Sequence, residues 1–327
     1  MHLARKVLKP AAKNHTKSVQ PNHLTCQRAV LRFKSCVRSE IMISKADLVM
    51  WARNGATLLP AVLKRINEVT PSEAVDKKIF VDDHSTDESA SIAEDFGWIV
   101  FPNKKGGVGA GANFALRNVT NEHFVSLEQD VLLARDWWKK VPRHLERRDV
   151  VVAQGWRISD HPVIRKMDEY EMKRFSRSLY SIDNTIYKTK VIRALGGFPE
   201  HLRYTGVDAY IHQRVLNAGF KWVTDSSTIS IHLRSGGLRE QIRRYYLYGM
   251  DMPVLGKEEL FVDTDVASGL KRSLSIAVFS PFRALEIAIR KRCPQAVYYY
   301  PLIRFSHLAG CARATFCDGS NEHDDSS

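Results

Sequence analysis

At 327 residues with a net charge of +13, the chain has length for one large domain or two small ones, with a substantial core. The charge sits at the ends: residues 1–45 carry ten Lys/Arg and one acid, residues 268–317 carry eight and one, and 46–267 is close to neutral. A near-neutral middle with basic flanks fits an anionic surface, membrane or nucleic acid, better than a uniformly basic binding protein; of the two partners, an anionic membrane surface is the one expected and nucleic acid is not.

Cys26, Cys36, Cys293, Cys311 and Cys317 are odd in number and lack CxxC spacing. They indicate neither a disulfide scaffold nor a zinc site. A reducing, cytoplasmic setting is expected, either in solution or peripheral on the cytoplasmic membrane face. No apolar run approaches the roughly 18 residues of a membrane span.

Residues 1–41 are Lys/Arg-rich and without periodicity, and read as a basic, disordered extension or as translation begun upstream of Met42. An Arg-rich targeting segment is the alternative. Ala46 to Trp51 is the first strand, leaving through Ala52-Arg53-Asn54-Gly55 into an amphipathic helix with Val62, Leu63, Ile66 and Val69. The next apolar run ends in acid, Ile79-Phe80-Val81-Asp82-Asp83, and is followed by His84-Ser85-Thr86-Asp87. That pattern is a buried strand, a loop, and a helix from near Glu88 that Asp87 caps. After the strand Trp98 to Phe101, Gly107, Gly109 and Ala112 satisfy GxGxxA, the dinucleotide fingerprint. The fingerprint belongs directly after a first strand, however, and here two strands precede it and Pro102 to Lys105 intervene.

Phe124 to Leu127 is a second strand delivering acids, Glu128-Gln129-Asp130. Strands that end in carboxylates with helical pattern between them indicate an open α/β sheet whose ligand lies beyond the strands' carboxyl ends. Trp137 and Trp138 read as packing residues. Val150 to Ala153, Thr185 to Tyr187 and Ile229 to His232 read as further strands, residues 159–180 as a polar insertion, and Asp208 to Ala218 as a helix. Arg234, Arg239, Arg243 and Arg244 suit phosphate contacts or a solvated helix face. From Ser268 to Phe316 the pattern is amphipathic helix interrupted at Pro281, Pro294 and Pro301. Leu270, Leu274, Val278, Phe282, Leu285 and Ile289 form an apolar stripe beside Lys271, Arg272, Arg283, Arg290, Lys291 and Arg292. Such a segment lies in an anionic bilayer surface or packs as a cap.

Val81 to Asp87 resembles the VDDGSTD signature of family 2 glycosyltransferases, with His84 at the usual Gly. Glu128-Gln129-Asp130 is similar to that family's DxD element, with Glu first. Ala52-Arg53-Asn54, then Gly196-Gly197-Phe198-Pro199-Glu200 against GGFDE, and Gly206-Val207-Asp208 against G-E-D keep the family's order over about residues 46–235. The resemblance implies a GT-A type α/β fold, an open, mostly parallel sheet flanked by helices, over 42–250. A helical, membrane-surface appendage at 251–317 and an acidic tail at 318–327 complete the expected organisation.

It also implies a hexosyltransferase-like enzyme that moves a sugar from a nucleoside diphosphate sugar to an acceptor hydroxyl with inversion. Asn54, Asp82, Asp83, Gly107, Asn113 and Glu128 would contact the donor, with Glu128 on the ribose or behind the metal. Asp130 and His232 would hold Mn²⁺ or Mg²⁺, since hard oxygen ligands suit these ions and a departing diphosphate concentrates negative charge. Asp208 inherits the general-base position. Residues 159–180 correspond to a region that varies with the acceptor, and donor base, sugar and acceptor stay open. Two other readings are kept: an NAD(P)-binding Rossmann oxidoreductase and a non-catalytic basic protein on membranes.

Overall fold

The structure, a computed structural model, describes residues 45–175, 180–234, 236–256 and 266–316; the expectations for 1–41 and 318–327 lie outside them. Strand β1 (Ala46–Ala52) is buried at all seven positions. Successive side chains on a strand point to opposite faces, so Val49 and Trp51 enter one core while Leu48, Met50 and Ala52 enter another. A strand covered on both faces reads as an unbroken apolar run. Parallel neighbours flank it: β2 (Val75–Asp82) on one side and β4 (His123–Leu127) on the other, with β3 (Ile99–Pro102) beyond β2. The connecting helices are α1 (Leu59–Val69), α2 (Ser89–Asp95) and α3 (Val108–Asn118). On α1, Leu59, Val62, Leu63 and Ile66 form the buried face, each worth roughly 1.5–3 kcal/mol over exposure.

The chain continues through β5 (Val131–Leu132), α4 (Trp137–Lys140), β6 (Val150–Ser159), α5 (Pro162–Phe175), β7 (Thr185–Lys188), α6 (Thr189–Ala194), α7 (Val207–Asn217) and β8 (Lys221–His232). The eight strands follow the order β3-β2-β1-β4-β7-β6-β8-β5. Four pairings are parallel and three antiparallel, the reversal beginning where β7 joins β4. The sheet is therefore mixed, with parallel pairing ahead. Strands β6 and β8 exceed the segments expected at 150–153 and 229–232: they pair in parallel from Val150 opposite Lys221 to Ser159 opposite His232. Their polar, half-buried stretches carried no apolar signal, and only their ends did.

The last helices are α8 (Gly237–Gly256), α9 (Val266–Val278), α10 (Ser280–Arg290) and α11 (Ala296–Phe316). The boundary expected at 250 falls inside α8, which with α5, α10 and α11 encloses a third core of residues such as Met167, Ile287, Tyr300 and Ile303, with Ile242 packed against it. Pro281 sits in the first turn of α10, where its missing N–H removes nothing, and Pro294 lies between α10 and α11. Pro301 does not interrupt α11. An internal proline costs about 3 kcal/mol, and burial of Tyr299, Tyr300 and Ile303 at roughly 1.5–3 kcal/mol each outweighs it.

Candidate active site

The loops leaving β1, β2 and β4 lie side by side because those strands are parallel neighbours. Asn54, in the left-handed region at φ 51°, clasps two of them together. Its N–H donates to Ser85 Oγ at 3.0 Å and its Oδ1 accepts the Thr86 N–H at 2.8 Å. Asp87 accepts the Ser89 N–H at 3.1 Å and the Ala56 N–H at 3.0 Å, so it opens α2 and joins the same clasp. Gln129 reaches back to Arg53, accepting its N–H at 2.9 Å and donating to its carbonyl at 3.1 Å. His84 lies at φ 60°, a left-handed position that explains why glycine is the family's residue there.

Asp83 Oδ1 accepts from Asn103 Nδ2 at 2.7 Å and from the Gly107 N–H at 2.9 Å. Asp82 Oδ2 accepts the Ser85 N–H at 3.2 Å, while its buried Oδ1 has no partner among the described residues. At the glycine-rich start of α3 the Gly107, Val108 and Gly109 N–H groups are engaged within the chain. Val108 and Gly109 donate to the carbonyls of Arg203 and Leu202, both at 3.0 Å. A Cβ on Gly109 would stand 1.8 Å from the Pro199 carbonyl oxygen, and one on Gly107 3.0 Å from Arg203 Cα. These glycines permit close packing against the segment 199–203, which gives the GxGxxA spacing a packing role. Asn113 belongs to the same joint: its Nδ2 donates to Glu200 Oε1 at 2.6 Å and its Oδ1 accepts the Phe198 N–H at 3.3 Å. Glu200 also meets Lys105, and Arg117 at 2.6 Å; these bonds, that to Lys105 foremost, draw its carboxyl down to about 2.

Beyond the end of β4 the chemistry changes from clasps to charge. Glu128, Asp130 and His232 bring a ligand atom each within 4.8 Å of one another, because β5 runs antiparallel beside β8 with Val131 opposite His232. Arg157, on β6, stands between them. It lies 3.6 Å from Glu128, 3.1 Å from His232 Nδ1, and in contact with Asp183. His232 Nε2 is 3.1 Å from Asp130 Oδ2, and Arg244 from α8 is 3.9 Å from the same oxygen. A guanidinium only donates, so Nδ1 is the acceptor and Nε2 carries the proton that Asp130 accepts.

Burial would raise Asp130, but His232, Arg244 and Arg157 outweigh it and hold the carboxyl below its usual range. Glu128 goes the other way: burial and then the neighbouring Asp183 carboxylate push it well up against the pull of Arg157. Burial likewise opposes charge on Arg157, yet Asp183 and Glu128 raise it.

Asp208 opens α7, after Gly206 in the left-handed region at φ 80°. Burial raises its carboxyl, and Arg157 and Asp183 are near enough to pull in opposite directions. The turn that presents it is held from α8, where Asp251 accepts the N–H groups of Tyr204 at 2.5 Å and Thr205 at 2.7 Å.

Arg157, Asp183 and Asp251 carried no signal along the chain. Arg157 follows a strand that looked finished at Ala153, and its partners are 26 to 75 residues away.

This sheet order, with acids gathered at the carboxyl ends of its strands, defines a GT-A glycosyltransferase fold. The solved mannosyltransferase PcManGT of Pyrobaculum calidifontis, in complex with GDP-Man and Mn²⁺, shares that fold: TM-score 0.59 at 16% identity, covering 90% of this chain and 94% of that one. Residues 47–198 match Glycosyl transferase family 2, so this stretch of the chain carries a glycosyltransferase family 2 domain. Among curated relatives, the O-antigen chain rhamnosyltransferase RfbN of Salmonella typhimurium is 25% identical, over 63% of this chain and 72% of its own length. WbaN of Salmonella anatum, also an O-antigen chain rhamnosyltransferase, is 23% identical over 53% and 61%.

Proposed function

We propose that the chain transfers a hexose-type sugar from a nucleoside diphosphate donor to an acceptor hydroxyl, with a divalent cation at Asp130 and inversion at the transferred carbon. The convergence of Glu128, Asp130 and His232 carries this reading. Two carboxylates and an imidazole suit Mn²⁺ or Mg²⁺. Burial first, and then the neighbouring Asp183 carboxylate, keep the Glu128 carboxyl high, an opposition that a bound cation would relieve. A cation bound there supplies charge neutralisation for the departing nucleoside diphosphate.

Asp82 and Asp83 offer acceptors to the nucleotide's N–H and hydroxyl donors. Asn54, Gly107 and Asn113, engaged within the chain, serve by holding the loops in place. Glu128 supports Asp130. His232 orients Asp130 through Nε2; for it to become a ligand, its proton must move to Nδ1 and Arg157 must turn wholly to Asp183 and Glu128. Asp208 takes the acceptor hydroxyl's proton as the new C–O bond forms and the bond to the phosphate oxygen breaks on the opposite face. Its elevated carboxyl makes it a stronger base near neutral pH. The rhamnosyl- and mannosyltransferase relatives support a hexose-type sugar.

The test is thermal stability of the chain against nucleoside diphosphates and NAD(P), each with and without Mn²⁺. The expected result is a shift with one nucleoside diphosphate that requires Mn²⁺ and vanishes in Asp130→Asn. A shift with NAD(P) alone would overturn the proposal.

A further inference from the structure

The C-terminal helices turn apolar residues outward as well as inward. On α10, Ser280, Ala284 and Ile287 are buried, while Phe282 and Ile289 are 74% and 70% exposed and Leu285 is exposed with them. At 100° per residue these two sets lie on opposite sides of the helix. Leu274 and Val278 on α9 are exposed one turn apart, with Phe279 just beyond. On α11, Tyr298, Leu302, Phe305 and Phe316 are exposed at successive spacings of four, three and eleven residues, which keep to one side. Scattered exposed apolar residues need no explanation, whereas three consecutive helices each carrying an outward apolar stripe do.

The charge around the stripes selects the occupant. Residues 266–316 contain eight Lys/Arg and one acid, Glu286. Lys271, Arg272, Arg290 and Arg292 are exposed, and Glu286 is paired with Arg290 at 3.1 Å. A second copy would set two such basic regions against each other, and the chain's own residues 1–45 are basic too. Nucleic acid would answer the charge but not the exposed Phe and Ile side chains. No helix of the described residues is long and apolar enough to cross a membrane, so the geometry is that of helices lying in an interface.

We propose that the outward stripes of α9, α10 and α11 seat the enzyme on an anionic lipid bilayer, with Phe282, Leu285 and Ile289 entering the acyl boundary and the flanking Lys and Arg side chains meeting lipid phosphates. This holds whichever sugar is transferred. Apolar burial and electrostatic attraction add in such binding.

The experiment is flotation of the full chain with vesicles of phosphatidylcholine alone and of equal phosphatidylcholine and phosphatidylglycerol. The expected result is binding to the mixed vesicles that falls at least about tenfold in Phe282→Asp/Ile289→Asp. Lys271→Glu/Arg272→Glu should weaken binding less, and added salt should mimic it. Both pairs are exposed, so the melting midpoint and transfer to a water-soluble acceptor should be unchanged, which separates this proposal from the catalytic one. Absence of binding to the mixed vesicles overturns the proposal. Unchanged binding in Phe282→Asp/Ile289→Asp also overturns it, since the basic residues 1–45 would then suffice. A dimer of the parent chain that this pair dissociates, with no vesicle binding, assigns the face to a second copy instead.

Discussion

The two sides of the sheet's carboxyl edge are built differently. Around β1 and β2 the loops are closed on themselves: Asn54, Asp87 and Gln129 each bond to a backbone group on a neighbouring loop. Across β4, β6 and β8 the same edge holds Glu128, Asp130 and Asp183 against Arg157 and Arg244, with one carboxyl raised and another lowered. The first region is a frame whose loop-to-loop bonds are made within the chain, with Asp82 Oδ1 left over; the second holds charges whose balance changes when a ligand arrives. Substitutions in the frame should therefore show first in stability, and those in the charged region first in rate.

The largest effects are expected in the charged region. Asp130→Asn and Asp208→Asn should each lower the transfer rate by about a thousandfold, within the range for a lost electrostatic or general-base contribution. Asp208→Asn should not lower the melting midpoint, because it removes a carboxylate that burial disfavours, whereas Asp130→Asn should lower it, because His232, Arg244 and Arg157 outweigh burial there and stabilise the charged form. Rate measured beside calorimetric melting decides this. Unimpaired transfer in either folded variant removes the corresponding role.

Acid should act on the two kinds of region separately. His123, at the start of β4, and His307, on α11, are both depressed to about 4 by burial. Between about 4 and 6.5 the unfolded chain then binds more protons than the folded one, so stability falls as pH drops through that window. At about 1.4 kcal/mol per unit, each histidine costs roughly 3 kcal/mol by pH 4. Urea midpoints across the window should show the decline, and His123→Gln should remove part of it. Activity should fall with acid for a different reason, protonation of Asp208, and His123→Gln should leave that limb of the rate profile in place.

The frame was largely legible in the sequence and the charged region only half so. Strands β1, β2 and β4 are apolar runs buried on both faces, and Asp87 sits where a helix start needs an oxygen. Glu128, Asp130, Asp208 and His232 stand at strand or helix ends, where a resemblance can fix their register. Arg157 lies inside a strand and Asp183 before one, and what makes them matter is the parallel pairing of β6 with β8. Local pattern carries no trace of pairing between segments 70 residues apart. The glycine-rich stretch was ambiguous for a related reason: glycine permits close approach without saying whether a phosphate or the chain's own carbonyl will approach.

Gly109→Ala tests that distinction. Its Cβ would meet the Pro199 carbonyl oxygen at 1.8 Å and that of Leu202 at 2.9 Å, so α3 and segment 199–203 must separate. Overpacking of this kind typically costs about 1–3 kcal/mol, readable as a lower urea midpoint. Loss of donor affinity at full stability would instead mean that a phosphate approaches here.

The smallest effect concerns His84, between the acids of β2 and the clasp. A side chain at φ 60° costs roughly 1–2 kcal/mol. Glycine removes that strain but returns about 0.4–1 kcal/mol through the freer unfolded chain. His84→Gly should therefore stabilise the protein by roughly 0.5–1 kcal/mol in urea melts. Its imidazole is 59% exposed, and Nδ1 lies 3.8 Å from Asp83 Oδ1, too far for a hydrogen bond. If the side chain is retained only by chance, donor affinity is unchanged as stability rises. If affinity falls while stability rises, the strain at this position is maintained for the nucleotide, and the frame contributes a binding group where the Asn54 and Asp87 clasps gave it only a structural part.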